Sequence, residues 1–214
     1  MPTGDLLAKN VIKYQPVTFA AMEGIFHTEK GGSEIVLIGQ PDVKNKKLDN
    51  KIAVPDILSF LTYGNWHQEI KGLNEYPEDV HPTNISGLYY GYHIMVGLGT
   101  LFIALMTFAA IQLFRNKLYT TKWILWLLLF FIPFPYIANT TGWYTAELGR
   151  QPWLVYNLLR TASGASPTVS SGNTLFTLLG FIGLYLLLGM LFLLLIGKII
   201  NKGPHHVELS TEKI

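Results

Sequence analysis

The sequence predicts an all-α membrane protein of three transmembrane helices, preceded by a charged segment outside the bilayer. Half of the 214 residues are hydrophobic and 14% are charged. The charges are segregated: residues 85–114, 123–146 and 174–197 contain no Lys, Arg, Asp or Glu, and each run is long enough to cross a hydrocarbon core of about 30 Å. The first 84 residues hold eight Lys against eleven Asp plus Glu, so the overall charge of +2 comes from the membrane part. The expected organisation is therefore an external segment at 1–84, a three-helix region at 85–203 and a tail at 204–214.

Residues 1–10 lack the basic start and apolar core of a signal peptide. From Pro16, a usual first-turn residue, Phe19, Met22 and Ile25 or Phe26 fall at helical spacing and predict a short amphipathic helix ended by Gly31-Gly32-Ser33. Glu34 to Gly39 is rich enough in Ile and Val for one strand or extended run. Lys44 to Lys51 is expected to be a solvated loop, and Pro55 to Tyr63 a second short helix with Ile57, Leu58, Phe60 and Leu61 on its apolar side. Leu73 to Pro82 is turn-rich and acidic. No internal repeat is visible.

In the second membrane run, Pro133 and Pro135 should kink or locally unwind the helix. Arg115, Lys117 and Lys122 follow the first run, and Lys198 and Lys202 close the third. Basic residues in short loops favour the cytoplasmic side. The 115–122 connection and the C-terminal tail are thus expected inside, with residues 1–84 and the Arg150 loop outside. Exporting a long charged segment without a signal implies further protein ahead of it, or a partner.

No basic stripe supports nucleic-acid binding. The chain has no cysteine, which excludes disulfides, thiolate metal sites and iron-sulfur clusters. A redox cofactor would have to use His, Met or a carboxylate. Glu147 and Arg150 stand at the end of an uncharged run, where ionisable groups are costly unless paired or ligated. Trp143, Glu147 and Arg150 would share one face of a continued helix. Spacing alone leaves two readings open: an interfacial ion pair beside an aromatic-belt Trp, or a carboxylate facing the bundle interior as a ligand or a proton-handling group. Met95 lies about 10–15 Å into the first span, as ordinary packing or as a thioether ligand to haem iron. Gly91, Gly97 and Gly99 nearby leave room for a macrocycle or for close helix packing. His93 is turned about 200° from Met95, so the two cannot ligate one iron. It is expected to bond a propionate or a neighbouring helix. His27, His67 and His81 read as surface residues and His205 and His206 as tail residues.

Gly149-Arg150-Gln151-Pro152-Trp153, with Trp143 and Glu147 before it, resembles the signature of subunit I of the cytochrome bd-type quinol oxidases. Tyr92-His93-Ile94-Met95-Val96-Gly97 resembles the helix that supplies a methionine ligand in that family, and Gln15 to Gly24 resembles its extracytoplasmic quinol loop. The resemblance covers nearly the whole chain but only the C-terminal part of the family's subunit.

It implies that Met95 is an axial ligand of the low-spin haem b and that Glu147 serves the high-spin haem b. Trp143 would stand between the haems, Arg150 would hold the Glu147 region and balance propionates, and Glu23 would be the quinol-loop glutamate. Thr18 stands where some members carry a lysine, and His93 where some carry arginine. Further expectations are a haem d or third haem b shared with partner helices, ubiquinol or menaquinol as substrate, an N-terminal four-helix half of subunit I, and subunit II. The implied location is a bacterial or archaeal cytoplasmic membrane, and the implied activity is a quinol:oxygen oxidoreductase that the isolated chain cannot sustain. Two rival readings are an assembly subunit or paralogue without haem, and a proton-conducting transporter fragment.

Overall fold

The computed structural model describes residues 2–203; the expected tail at 204–214, with His205 and His206, lies outside them. Contacts divide the chain into two units at residues 164 and 165.

The first unit begins with helix α1 (Pro2–Tyr14), in a stretch for which the sequence predicts no element, and α2 (Pro16–Glu23). An eight-residue helix has little stability of its own, so α2 exists because it is covered. Val17, Ala20 and Ala21 join Phe26, Leu73, Ile85 and Leu88 in one apolar cluster, while Phe19 joins Ile12, Leu58 and Ile70 in another. Thr18 and Glu23 are buried too. The amphipathic helix expected here is thus buried on nearly all sides, because small Ala side chains let flanking elements close on it. Its C-cap Gly24 has φ 72°, and a Cβ there would meet the Tyr89 ring at 2.9 Å. The site therefore favours glycine twice, by conformation and by space.

The region 35–54 contains the strand expected at Glu34–Gly39, corrects the loop expected at Lys44–Lys51, and qualifies the all-α class. Strands β1 (Ile35–Asp42) and β2 (Lys47–Val54) form an antiparallel hairpin, with Ile35 opposite Val54 and Asp42 opposite Lys47. The Lys44–Lys51 stretch is its turn and the first five of the eight residues of its second strand. Asp42 Oδ1 accepts from the backbone N–H groups of Lys44 and Asn45 at 3.1 Å each, an Asx turn that reverses the chain. None of β2 is buried and half of it is exposed, so its polar sequence carries no strand period. After it come α3 (Ile57–Tyr63), the second expected short helix, and 3₁₀ turns at Leu73–Glu75 and Glu78–Val80. Leu73 and Asn74 donate backbone hydrogen bonds to the carbonyls of Ile25 and Phe26, tying this segment to the end of α2.

Helix α4 (Ile85–Phe114) is opened by Asn84, whose side chain accepts from Gly87 N. Helices α5 (Lys122–Phe130) and α6 (Phe134–Arg150) form the second long apolar element, broken at 131–133, a break that includes Pro133 and precedes Pro135. Helix α4 runs antiparallel to it, with the Phe108 and Trp123 rings 5.8 Å apart at one end. Three pairs mark their seam. An added Cβ on Gly142 would lie 2.7 Å from Met95 Sδ, one on Gly91 2.9 Å from Thr145 Oγ1, and one on Gly149 3.5 Å from Leu88 Cδ1. Leu88, Gly91 and Met95 thus meet Gly149, Thr145 and Gly142, each set at i, i+3 (or i+4), i+7 spacing. Small residues let the helices approach, as membrane packing requires. A short hairpin, β3 (Trp153–Val155) with β4 (Leu159–Arg160), and a 3₁₀ turn at Thr161–Ser163 complete the unit.

The second unit contains helix α7 (Ser171–Lys202), capped by Ser170, whose Oγ accepts from Asn173 N at 3.3 Å. Among the described residues, three helical stretches are long and apolar enough to cross a membrane: Ile85–Phe114, Lys122–Arg150 and Ser171–Lys202.

The seam allows a direct check. A Cβ on Gly149 would come within 2.6 Å of Thr18 Cγ2. Gly149→Ala is expected to lower stability by about 1–3 kcal/mol, and adding Thr18→Ser, which deletes that methyl, should recover most of the loss in thermal unfolding of the detergent-solubilised protein. Simple addition of the two effects would contradict the contact.

Candidate functional site

The C-terminal turn of α6, the start of α4 and helix α2 converge. Glu23 ends α2 and is 3% exposed. Tyr92 of α4 is its side-chain hydrogen-bond partner. Burial raises its pKa to about 7, against the opposing pull of the Tyr92 hydrogen bond. A carboxyl poised near neutrality can take and release a proton without a large driving force. Beside it, Tyr89 is buried with its hydroxyl unpartnered among the described residues.

Thr18 is the second link. Its hydroxyl, 5% exposed as a residue, donates to the Gly149 carbonyl at 2.7 Å. That carbonyl belongs to the last turn of α6, where intrahelical donors run out, so α2 caps the helix that carries Glu147 and Arg150. In the sequence Thr18 stands out only as a departure from lysine; a contact across 131 positions leaves no local signal.

Met95, half-buried, has its sulfur against Gly142. It borders an open groove of about 800 Å³ lined by Gly99 of α4 and by Ala138, Asn139, Thr140, Gly142 and Trp143 of α6. Trp143 is 66% exposed on that side. Glu147 lies one turn beyond Trp143, outside the groove lining, and Arg150 Nη2 donates to its Oε1 at 3.4 Å. Both side chains are roughly half exposed, at 41% and 49%, a setting in which an ion pair contributes at most about 1 kcal/mol. The structure therefore brings Met95 and Trp143 to one groove and pairs Glu147 with Arg150, without bringing Met95 and Glu147 together.

His93 is engaged elsewhere. Its Nδ1 lies 2.9 Å from the Tyr89 carbonyl and its Nε2 3.1 Å from the Val36 carbonyl of β1. The ring lies 4.0 Å from that of Tyr89. Its partner outside α4 is thus the hairpin, whereas a propionate or a neighbouring helix was expected. A neutral imidazole has one N–H and can donate to only one of these carbonyls. Of the other histidines, His81 Nε2 lies 3.1 Å from the carbonyls of Leu73 and Tyr76 and fixes the acidic turn.

The profile of the cytochrome bd terminal oxidase subunit I family matches residues 1–204. The chain belongs to this family. It is 32% identical over 98% of its length to the cytochrome bd ubiquinol oxidase subunit 1 of Bacillus subtilis, of which it covers 48%. It is 31% identical to a putative cytochrome bd menaquinol oxidase subunit I of the same organism, covering 46% of it. The structure of the bd oxidase from Geobacillus thermodenitrificans superposes with a TM-score of 0.71 at 29% identity, over 94% of this chain and 45% of that one. The chain spans about half the length of the curated relatives it matches, as expected for a C-terminal part of subunit I. Family membership and the three apolar helices make it part of a multi-pass membrane protein.

Two contacts of this bd-family chain, besides that of Thr18, have no signal in the sequence. Arg160 Nη2 donates to Asp79 Oδ2 at 2.5 Å while its guanidinium lies 5.1 Å from the Trp153 ring centre, which fixes the β3–β4 hairpin to the acidic turn. Tyr92 belongs to the Tyr92–Gly97 motif, but its pairing with Glu23 requires the fold.

The raised pKa of Glu23 has a sign. Folded, the carboxyl titrates at about 7; unfolded, at its usual value of 4.5. Between these values the folded chain holds the extra proton, so stability falls as pH rises through the window and levels off above it, by up to about 3 kcal/mol. Glu23→Gln should remove this component, seen as the difference between wild-type and variant unfolding curves from pH 4.5 to 7; parallel curves would contradict it.

Proposed function

We propose that this chain is the C-terminal, haem-ligating and quinol-facing part of a cytochrome bd-type oxidase that takes electrons from quinol and reduces dioxygen to water. The observation that carries the reading is the groove beside Met95, whose sulfur lies against Gly142 and whose wall includes Trp143. A thioether at the edge of a groove walled by Gly99, Ala138 and Gly142 suits a flat macrocycle, so the residues fit haem. When bound, haem supplies one-electron storage and, at the oxygen site, the reduction of dioxygen.

In this reading Met95 would help hold the low-spin haem b through its thioether, whose softness would raise the potential. Trp143 stands between this position and Glu147. Glu147 serves the high-spin haem b as ligand or proton-holding carboxylate, and Arg150 steadies it and offsets propionate charge. Glu23 takes a proton from quinol as the electrons leave, a role suited to a buried carboxyl near neutrality. Thr18 holds α2, and with it Glu23, against α6. His93 braces α4 against the hairpin.

The remaining ligands, including those of the haem d or third haem b, come from an N-terminal four-helix half of subunit I, with subunit II completing the complex in a bacterial or archaeal cytoplasmic membrane. The basic connection at 115–122 faces inward and residues 1–84 outward, so Glu23 lies on the side where quinol protons are released.

Reduced-minus-oxidised visible spectra of the assembled oxidase test the assignment. Met95→Ala should abolish the low-spin haem b band and lower quinol oxidation at least about 100-fold, while Glu147→Ala should alter the high-spin haem signal and spare the low-spin band. Wild-type spectra in both variants would overturn it.

A further inference from the structure

We infer that the small cavity between Glu23 and the β1–β2 hairpin is the proton outlet of the quinol site, with Glu34 as the relay at its mouth. The inference rests on the proposed role of Glu23 as proton acceptor.

Glu23, although nearly inaccessible, forms part of the wall of a cavity of about 210 Å³ that also touches Glu29, Glu34, Lys47, Leu48 and Lys51. Water occupies roughly 30 Å³ per molecule in the liquid, so the cavity has room for several. On its other side Glu23 meets Tyr92 of α4. Glu23 therefore sits between the membrane helix and an ionic vestibule.

The vestibule has a built mouth. Lys51 Nζ donates to Glu34 Oε1 across the two sides of the hairpin base. Glu34 is the more covered partner, its side chain 25% exposed against 45% for Lys51. Leu48 forms the apolar wall with Ile25, Phe26 and Val36, and its methyls lie 3.2 Å from a Cβ built on Gly24 and 2.9 Å from one built on Gly39. A wider residue at 48 would fill the passage.

The step is a proton transfer. The O–H bond of the Glu23 carboxyl breaks, the proton passes to vestibule water, and the carboxylate is restored for the next quinol. The hydrated proton then passes to the Glu34 carboxylate, which the Lys51 contact holds in place, and from there to outside water. No electron moves along this route.

The test uses the intact oxidase containing this chain, with Glu34→Gln, Glu34→Asp and Leu48→Trp, each checked for wild-type haem spectra. Glu34→Gln and Leu48→Trp should lower kcat for quinol oxidation at least about fivefold with KM unchanged within twofold, and Glu34→Asp should restore most of it. In infrared difference spectra, the hydrogen–deuterium exchange of the Glu23 carboxyl band should slow in the same two variants. Wild-type kcat and exchange in Glu34→Gln and Leu48→Trp, with Glu23→Gln inactive, would overturn the outlet alone. Wild-type quinol oxidation in Glu23→Gln would instead overturn the role of Glu23 itself, and the outlet with it.

Discussion

Helices α4 and α6 can lie close only because one member of each contacting pair along their seam is small, and every functional placement in the chain depends on that approach. Lipid is as apolar as a leucine side chain, so no hydrophobic force draws the two helices together and packing must do it. Gly142 receives the Met95 sulfur, Gly91 receives Thr145, and Gly149 receives Leu88 together with Thr18. The same seam that holds the helices also presents the thioether to the groove and sets the height of Glu147 above it.

Helix α2 closes the top of this pair. Its position follows from two clusters of apolar contacts and from one hydrogen bond to a helix-terminal carbonyl that would otherwise lack a partner. The consequence is chemical. Docking α2 carries Glu23 out of water and onto Tyr92, so the energy of apolar packing holds a carboxyl in a setting where its charge is disfavoured. Helix α4 thus carries both Tyr92, which meets Glu23, and Met95 at the groove, so in the proposed reading the quinol loop and the haem groove share one helix.

The three membrane-crossing stretches were legible because uncharged apolar runs of this length rarely occur outside a bilayer, and the break at Pro133 followed from the missing N–H. The Gly149–Trp153 string identified the family where spacing alone left an ordinary interfacial ion pair standing. The hairpin was not legible. β2 is half exposed and lysine-rich, so no alternation marks it, and the Asp42 turn that makes it reads equally well as a loop. Helix α1 opens on Pro2, but most of its described side chains are exposed, so no buried face marks it. The couplings Thr18–Gly149, Glu23–Tyr92 and His93–Val36 were out of reach for a different reason: each joins residues 57 or more positions apart, and only the fold brings them into contact.

The proposed haem site requires the Met95 thioether to be held by Gly142 at the groove, and the most direct measurement is a redox titration of the low-spin haem in an oxidase carrying Gly142→Ala. A Cβ at that position would stand 2.7 Å from the sulfur. Displacing a thioether ligand should shift the low-spin absorption band and lower its midpoint potential while the other haem signals persist. A wild-type band at the wild-type potential would contradict the account.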